Sequence, residues 1–148
     1  MEIIEKLKES LRLTLPYFDL SADELQQSYG PGKWNIRQIL HHLADAETIL
    51  YERVRRIIAE PRQVIWAFDQ DMWNVQLNYL KVPLEINKNI YRSTREAVIY
   101  YAGEYYIPLA GKEFVHSETG VRTLKDEFDK IAAHNFSHIA QIERALKN

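Results

Sequence analysis

The sequence predicts an all-α protein, a four-helix bundle of a single domain over residues 1–148. Three observations carry that expectation. Four separate stretches repeat their apolar residues with the period of a helix that buries one face. Two of these stretches open on capping boxes, Asn35 with Gln38 and Thr123 with Asp126, which satisfy backbone donors that a helix start leaves free. A third opens on Pro83, which suits a first turn because its missing N–H has no helical partner there.

The first helix is expected over 2–15, where Ile3, Ile4, Leu7, Leu11 and Leu15 share a face. Pro16 and the polar residues 21–32 form a connection. The second helix is expected over 35–59, with Trp34 placed to staple against Ile39 and Pro61 following its end. Residues 62–82 are mixed and aromatic, and read as loop with a short helical turn. The third helix is expected over 83–103 with Ile86, Ile90, Ala97, Val98 and Tyr101 on its stripe. A second connection, rich in glycine, tyrosine and polar residues, fills 103–122. The last helix is expected over 123–147.

Composition narrows the partners. A chain of 148 residues with 46% apolar and 27% charged residues has the make-up of an ordinary globular domain. Nineteen basic against 21 acidic residues leave a net charge of −2 with no basic stripe, which argues against a nucleic-acid partner. No cysteine is present, so disulfides, thiolate ligands and a cysteine nucleophile are excluded together. No apolar run reaches the ~18 residues of a membrane span. The opening MEIIEKLKESLRL alternates apolar and charged residues, unlike a secretory signal. The expectation is a cytoplasmic protein acting on a small molecule, with no membrane partner. No Ser/His/Asp motif, phosphate loop or nucleotide fingerprint points to another common chemistry.

His134 and His138 lie one helical turn apart, and His42 lies in the second helical segment. Side chains at i and i+4 share a face, so two imidazoles of one helix and a third from a facing helix can hold one divalent ion with positions left open. On a wheel of about 100° per residue, His42 sits on the flank of the second helix's apolar stripe, while His41 falls roughly 160° away, toward solvent. His134 and His138 flank the last helix's stripe on one side, and Gln141 shares that flank as a hydrogen-bond partner or weak catalytic candidate.

Glu47 falls about 40° from the centre of its stripe, so it needs a buried partner. A side chain of the first or last helix is the expected one, with a proton-acceptor role near the metal as the alternative. Asp45 reads as a surface residue or as the group orienting the His42 ring, and His116 as an exposed loop histidine, with entry into the pocket mouth as the alternative. Arg37, Arg53, Arg55 and Arg56 read as a solvated helix face. Trp66, Phe68, Trp73, Tyr100, Tyr101, Tyr105 and Tyr106 gather around the two connections, as core, dimer interface or pocket lining.

At these residues a resemblance emerges. GPGKWNIRQILHHLADAE (30–47) resembles the second-helix signature of the DinB-like superfamily, which includes metal-dependent hydrolases and bacillithiol transferases, and HNFSHIAQI (134–142) resembles its C-terminal His-x-x-x-His motif. YGPGKW, FDQDMW and FVHSETGVRTL look closest to the thiol-transferase-like branch. The resemblance covers nearly the whole chain. It implies a homodimeric four-helix bundle with one Zn²⁺ or Ni²⁺ held by His42, His134 and His138. Glu47 and Gln141 stand where that branch often has histidine, which leaves the ligands intact and the substrate open. The implied activity is hydrolysis or transfer of a low-molecular-weight thiol. A non-catalytic metal-binding or stress-responsive protein on the same bundle is the alternative, and a metal-free helical dimer the third.

Overall fold

The computed structural model describes residues 2–148. Four long helices dominate it: α1 (Glu2–Thr14), α3 (Ile36–Ala59), α5 (Leu84–Tyr105) and α6 (Leu124–Leu146). All four expected helices are present, with ends within two residues of the expected ones. Both expected capping boxes form: the Asn35 side chain accepts from Gln38 N and that of Thr123 from Asp126 N, each with the reciprocal bond.

The connections hold more order than their sequence signals. A 3₁₀ turn (Leu15–Asp19) and a short α2 (Ala22–Leu25), capped by Ser21 and Glu24, follow α1. Beyond α3 come β1 (Val64–Ile65) and α4 (Gln70–Gln76), and between α5 and α6 come β2 (Glu113–His116) and β3 (Gly120–Thr123). The sheet order is β1-β2-β3, with β1 parallel to β2 and β2 antiparallel to β3. Gly120, at φ +80°, supplies the left-handed residue that ends the hairpin loop. Strands of two to four residues are too short to show an alternating period, so the expected loops become a small sheet.

Pairwise contacts give the helix directions. His41, Glu47 and Tyr51 of α3 meet Asn87, Arg95 and Tyr101 of α5, so these two run parallel. His42 meets His134 while Arg53 meets Glu127, so α6 runs opposite to α3. Joining parallel helices requires the chain to return along α3, which spans about 36 Å at 1.5 Å per residue. Residues 60–83 make that return. Arg37 anchors its end by donating to the carbonyls of Tyr79 and Val82 at 3.2 and 2.5 Å.

Two apolar clusters fill the bundle. One, beneath the sheet, contains Leu7, Val54, Ile57, Phe114, Leu124 and Phe128, and the other, at the opposite end, contains Phe18, Ile36, Ile39, Leu40, Leu43 and Ile142. A buried polar layer crosses the bundle as well. Arg95 is fully buried and donates through Nε and Nη2 to Glu47 (2.5 and 2.9 Å), through Nη1 to Leu7 O and Ser10 Oγ (3.2 and 2.5 Å), and through Nη2 to Asn135 Oδ1 (2.8 Å). These bonds occupy all five guanidinium donors. Asn135 also receives Tyr91 Oη and donates to Thr14 Oγ1.

The partner of Glu47 therefore comes from the third long helix, a correction to the expected first or last. The α5 stripe shifts too. Ile86 and Ile90 are exposed, and Asn87, Tyr91, Arg95, Val98 and Ala102 face inward. A polar layer through the core reverses the rule that inward means apolar, so a periodicity count on this helix selects the wrong face.

Candidate metal centre

His42 enters from the first half of α3, and His134 and His138 from consecutive turns of α6. The antiparallel packing of these helices makes their side chains meet. His42 Nε2 lies 2.9 Å from His134 Nε2, which lies 3.2 Å from His138 Nε2. One ligand atom from each of the three histidines falls within 4.8 Å of the others. With Zn–N bonds of about 2.0–2.1 Å, tetrahedral ligand nitrogens stand about 3.3 Å apart. The observed spacing fits one small cation with slight opening of the triad.

The three imidazoles are in the neutral form that can ligate a metal ion. Burial lowers the pKa of His42 to about 2, helped by the neighbouring His134 and His138, and that of His134 to about 3, helped by His138, Lys130 and Arg95. Burial also lowers that of His138. All three rings are neutral near pH 7. His138 Nδ1 lies 2.7 Å from Gln141 Oε1. Its proton therefore sits on Nδ1, and its Nε2 lone pair faces the other two rings. His42 Nδ1 is buried without a hydrogen-bond partner among the described residues. Trp34 packs on His42 at 5.1 Å, Phe68 stacks on it at 6.4 Å, and Trp73 backs Phe68 at 5.2 Å.

The remaining expected residues fall elsewhere. His41 is fully buried rather than solvated; its Nδ1 accepts from Asn87 Nδ2 at 2.7 Å and its ring packs on Tyr79. The wheel assumed one buried face, whereas 13 of the 24 residues of α3 are buried because α5 and the return segment cover its other side. Arg53 is buried as well, donating to Trp66 O at 2.6 Å beside Glu127 at 3.6 Å, and Arg37 is half-buried; only Arg55 and Arg56 lie on the solvated face. Asp45 is half-buried and receives the Tyr79 hydroxyl, so it does not orient His42. His116 is buried on β2, where Nδ1 accepts the N–H groups of Glu118 and Thr119 at 3.1 and 3.2 Å. Glu47 spends both oxygens on Arg95.

Acid should unfold the metal-free protein. Burial lowers the pKa of His41 to about 4, and His42 and His134 are lower still, against 6.5 for an unperturbed histidine. The folded state therefore binds fewer protons than the unfolded one below that value. The stability is fully present above about pH 6.5 and is lost as the pH falls toward 4 and below, by about 1.4 kcal/mol per pH unit for each histidine. Urea denaturation of the metal-free protein at pH 7, 6 and 5 should show a falling midpoint; a constant midpoint contradicts this.

A cavity of about 240 Å³ opens beside the triad, lined by Tyr29, Gly32, Lys33, Trp34, Gln70, Asp71, His138 and Gln141. Of these, the sequence singled out His138 and Gln141 as site residues. Tyr29, Gly32, Lys33 and Trp34 belong to YGPGKW and Gln70 and Asp71 to FDQDMW, two of the stretches that carry the family resemblance, but neither stretch by itself reveals that the two meet at one cavity. A larger groove of about 520 Å³ between α1 and α6 holds Glu2, Lys6, Lys125 and Asp129. Its charges are already paired as Lys6–Glu2 and Lys125–Asp129, so it offers no free chemistry.

A sequence model of the DinB superfamily matches residues 6–142. Two relatives from Oceanobacillus iheyensis carry the name "putative metal-dependent hydrolase". One is 29% identical, with the match covering 87% of this chain and 74% of the relative; the other is 28% identical, covering 97% and 82%. YfiT from Bacillus subtilis, described as a probable metal-dependent hydrolase with an unusual four-helix bundle topology, superposes with a TM-score of 0.89 over 99% of this chain and 85% of its own, at 20% identity. At that identity the likeness is one of fold.

Proposed function

We propose that this chain, which belongs to the DinB superfamily, is a metal-dependent enzyme that activates water or a small thiol against a small-molecule substrate. The convergence of three neutral imidazole nitrogens beside an open cavity carries this reading. The names of the relatives support hydrolysis, and the sequence signatures support thiol transfer. His42, His134 and His138 would hold the ion. An all-nitrogen donor set suits Zn²⁺ or Ni²⁺, and the chain has no cysteine to supply a thiolate. A divalent ion there supplies Lewis acidity and lowers the pKa of a coordinating water or thiol.

The chain's own residues arrange the rest. Gln141 holds the His138 tautomer, and Trp34 and Phe68 fix the His42 ring while shielding it from water. Glu47 directs both carboxylate oxygens at Arg95 within the buried polar layer and does not line the cavity beside the triad, which argues against its acting as the proton acceptor there. The chain has no cysteine, so a thiol nucleophile would come from a small molecule.

The test is a parallel assay of one purified protein: ester and amide hydrolysis, and conjugation of low-molecular-weight thiols to an electrophile, each with and without chelator. Turnover that stops on chelation and returns with added Zn²⁺ or Ni²⁺ is expected in one arm. Turnover that persists after the metal is shown to be gone contradicts the proposal. Bound metal without turnover in either arm favours a binding protein.

A further inference from the structure

The geometry points to Lys33 and Asp71 as the residues that select the substrate, and to a small zwitterion, carrying both an anionic and an ammonium group, as what they select. This rests on the reading that the triad holds a divalent ion. Three observations lead to it.

The first is where the charges stand. Lys33 and Asp71 line the same cavity of about 240 Å³ as His138. Neither has an ion-pair partner among the described residues, and they are not paired with each other. They come from different walls, Lys33 from the turn before α3 and Asp71 from α4. A concave wall concentrates the field of a free charge relative to an open surface.

The second is that both walls are stiff. Ser28 Oγ lies 2.8 Å from Gly30 O and 3.1 Å from Lys33 O, and accepts the Gly30 N–H. Gly32 takes the left-handed conformation at φ +71° that closes this turn. Opposite, Asp69 caps Met72 N at 3.0 Å, and Gln38 ties α4 to α3 through Asn74 at 3.2 Å. The side chains of Lys33 and Asp71 are exposed, but each springs from hydrogen-bonded backbone, so only the side chains themselves need ordering on binding.

The third is the chemistry between them. Gln141 spends its carbonyl oxygen on His138, so its amide N–H groups are left to donate, and Gln70 adds a second amide. Lys33 would take a carboxylate and Asp71 an ammonium, while a third group of the same molecule reaches the ion. A ligand lacking either charge would leave one wall unmatched.

The test uses four hydroxamates that share one metal-binding group and differ in charge. Acetohydroxamate is the plain probe, succinic monohydroxamate adds a carboxylate, β-alanine hydroxamate adds an ammonium, and aspartate β-hydroxamate adds both. Each is titrated into the cobalt(II)-loaded protein at constant ionic strength and followed by visible absorption. Aspartate β-hydroxamate should bind about tenfold tighter than acetohydroxamate, the gain of charge-assisted hydrogen bonds in a partly enclosed site. Lys33→Ala should cancel the increment from the carboxylate, and Asp71→Asn that from the ammonium. Equal affinities for all four probes, or an unchanged order in both variants, overturns the assignment. Failure to bind cobalt at all overturns the metal reading beneath it, and that outcome is separately visible as the absence of the cobalt spectrum.

Discussion

His42→Ala, and equally His134→Ala or His138→Ala, should lower the affinity for Zn²⁺ by at least about 10–100-fold. Losing an outer partner of a ligand already costs that much, and here a donor nitrogen itself is removed. His41→Ala is the control. His41 is as buried as His42 and adjacent in sequence, but its Nδ1 is bound to Asn87 and it lies outside the cluster of three. Competition titrations against a chromophoric chelator should find the His41 variant close to the parent in affinity, whatever its stability. Metal retained in the His42 variant and lost in the His41 variant would reverse the assignment. His116→Ala should also retain the metal, because that ring closes the β2–β3 turn.

Arg95→Met should destabilise the fold by about 3–5 kcal/mol, the cost of leaving a buried charge without its partner. In a chain of this length that corresponds to a fall in melting temperature of roughly 10 °C. The substitution strands Glu47 in the core and removes donors from Ser10, Leu7 O and Asn135, so α1, α3 and α6 all lose contacts with α5. Glu47→Leu combined with Arg95→Met should recover much of the loss, because removing both charges removes the desolvation cost of each. Urea denaturation of the parent, the single variant and the double variant measures both effects. A single variant within 1 kcal/mol of the parent would mean that the layer contributes little. The network also reaches the candidate site, since Asn135 follows His134 directly on α6.

The helices and the triad were legible in the sequence for the same reason. A helix declares itself locally, through a period in its side chains and a cap three residues long. His134 and His138 need nothing more than that period to share a face. His42 required one further step, the flank of a stripe, and the packing of α3 against α6 brings all three nitrogens together. Asn35–Gln38 and Thr123–Asp126 likewise close within four residues.

Tertiary structure decided whatever depended on residues far apart in the chain. The parallel course of α3 and α5 set Arg95 against Glu47 and Asn87 against His41, burying a histidine that a single-faced wheel sends to solvent, while the return segment and α6 buried Arg53 against Trp66 O and Glu127. The same parallel course forced the long return segment, and with it β1, α4 and the wall that carries Gln70 and Asp71. Such pairings join residues more than 40 positions apart, and their energy lies in desolvation and geometry that no local period records. The sequence by itself determined which helices form and which nitrogens can converge; the packing of α5 and the return segment decided what surrounds them.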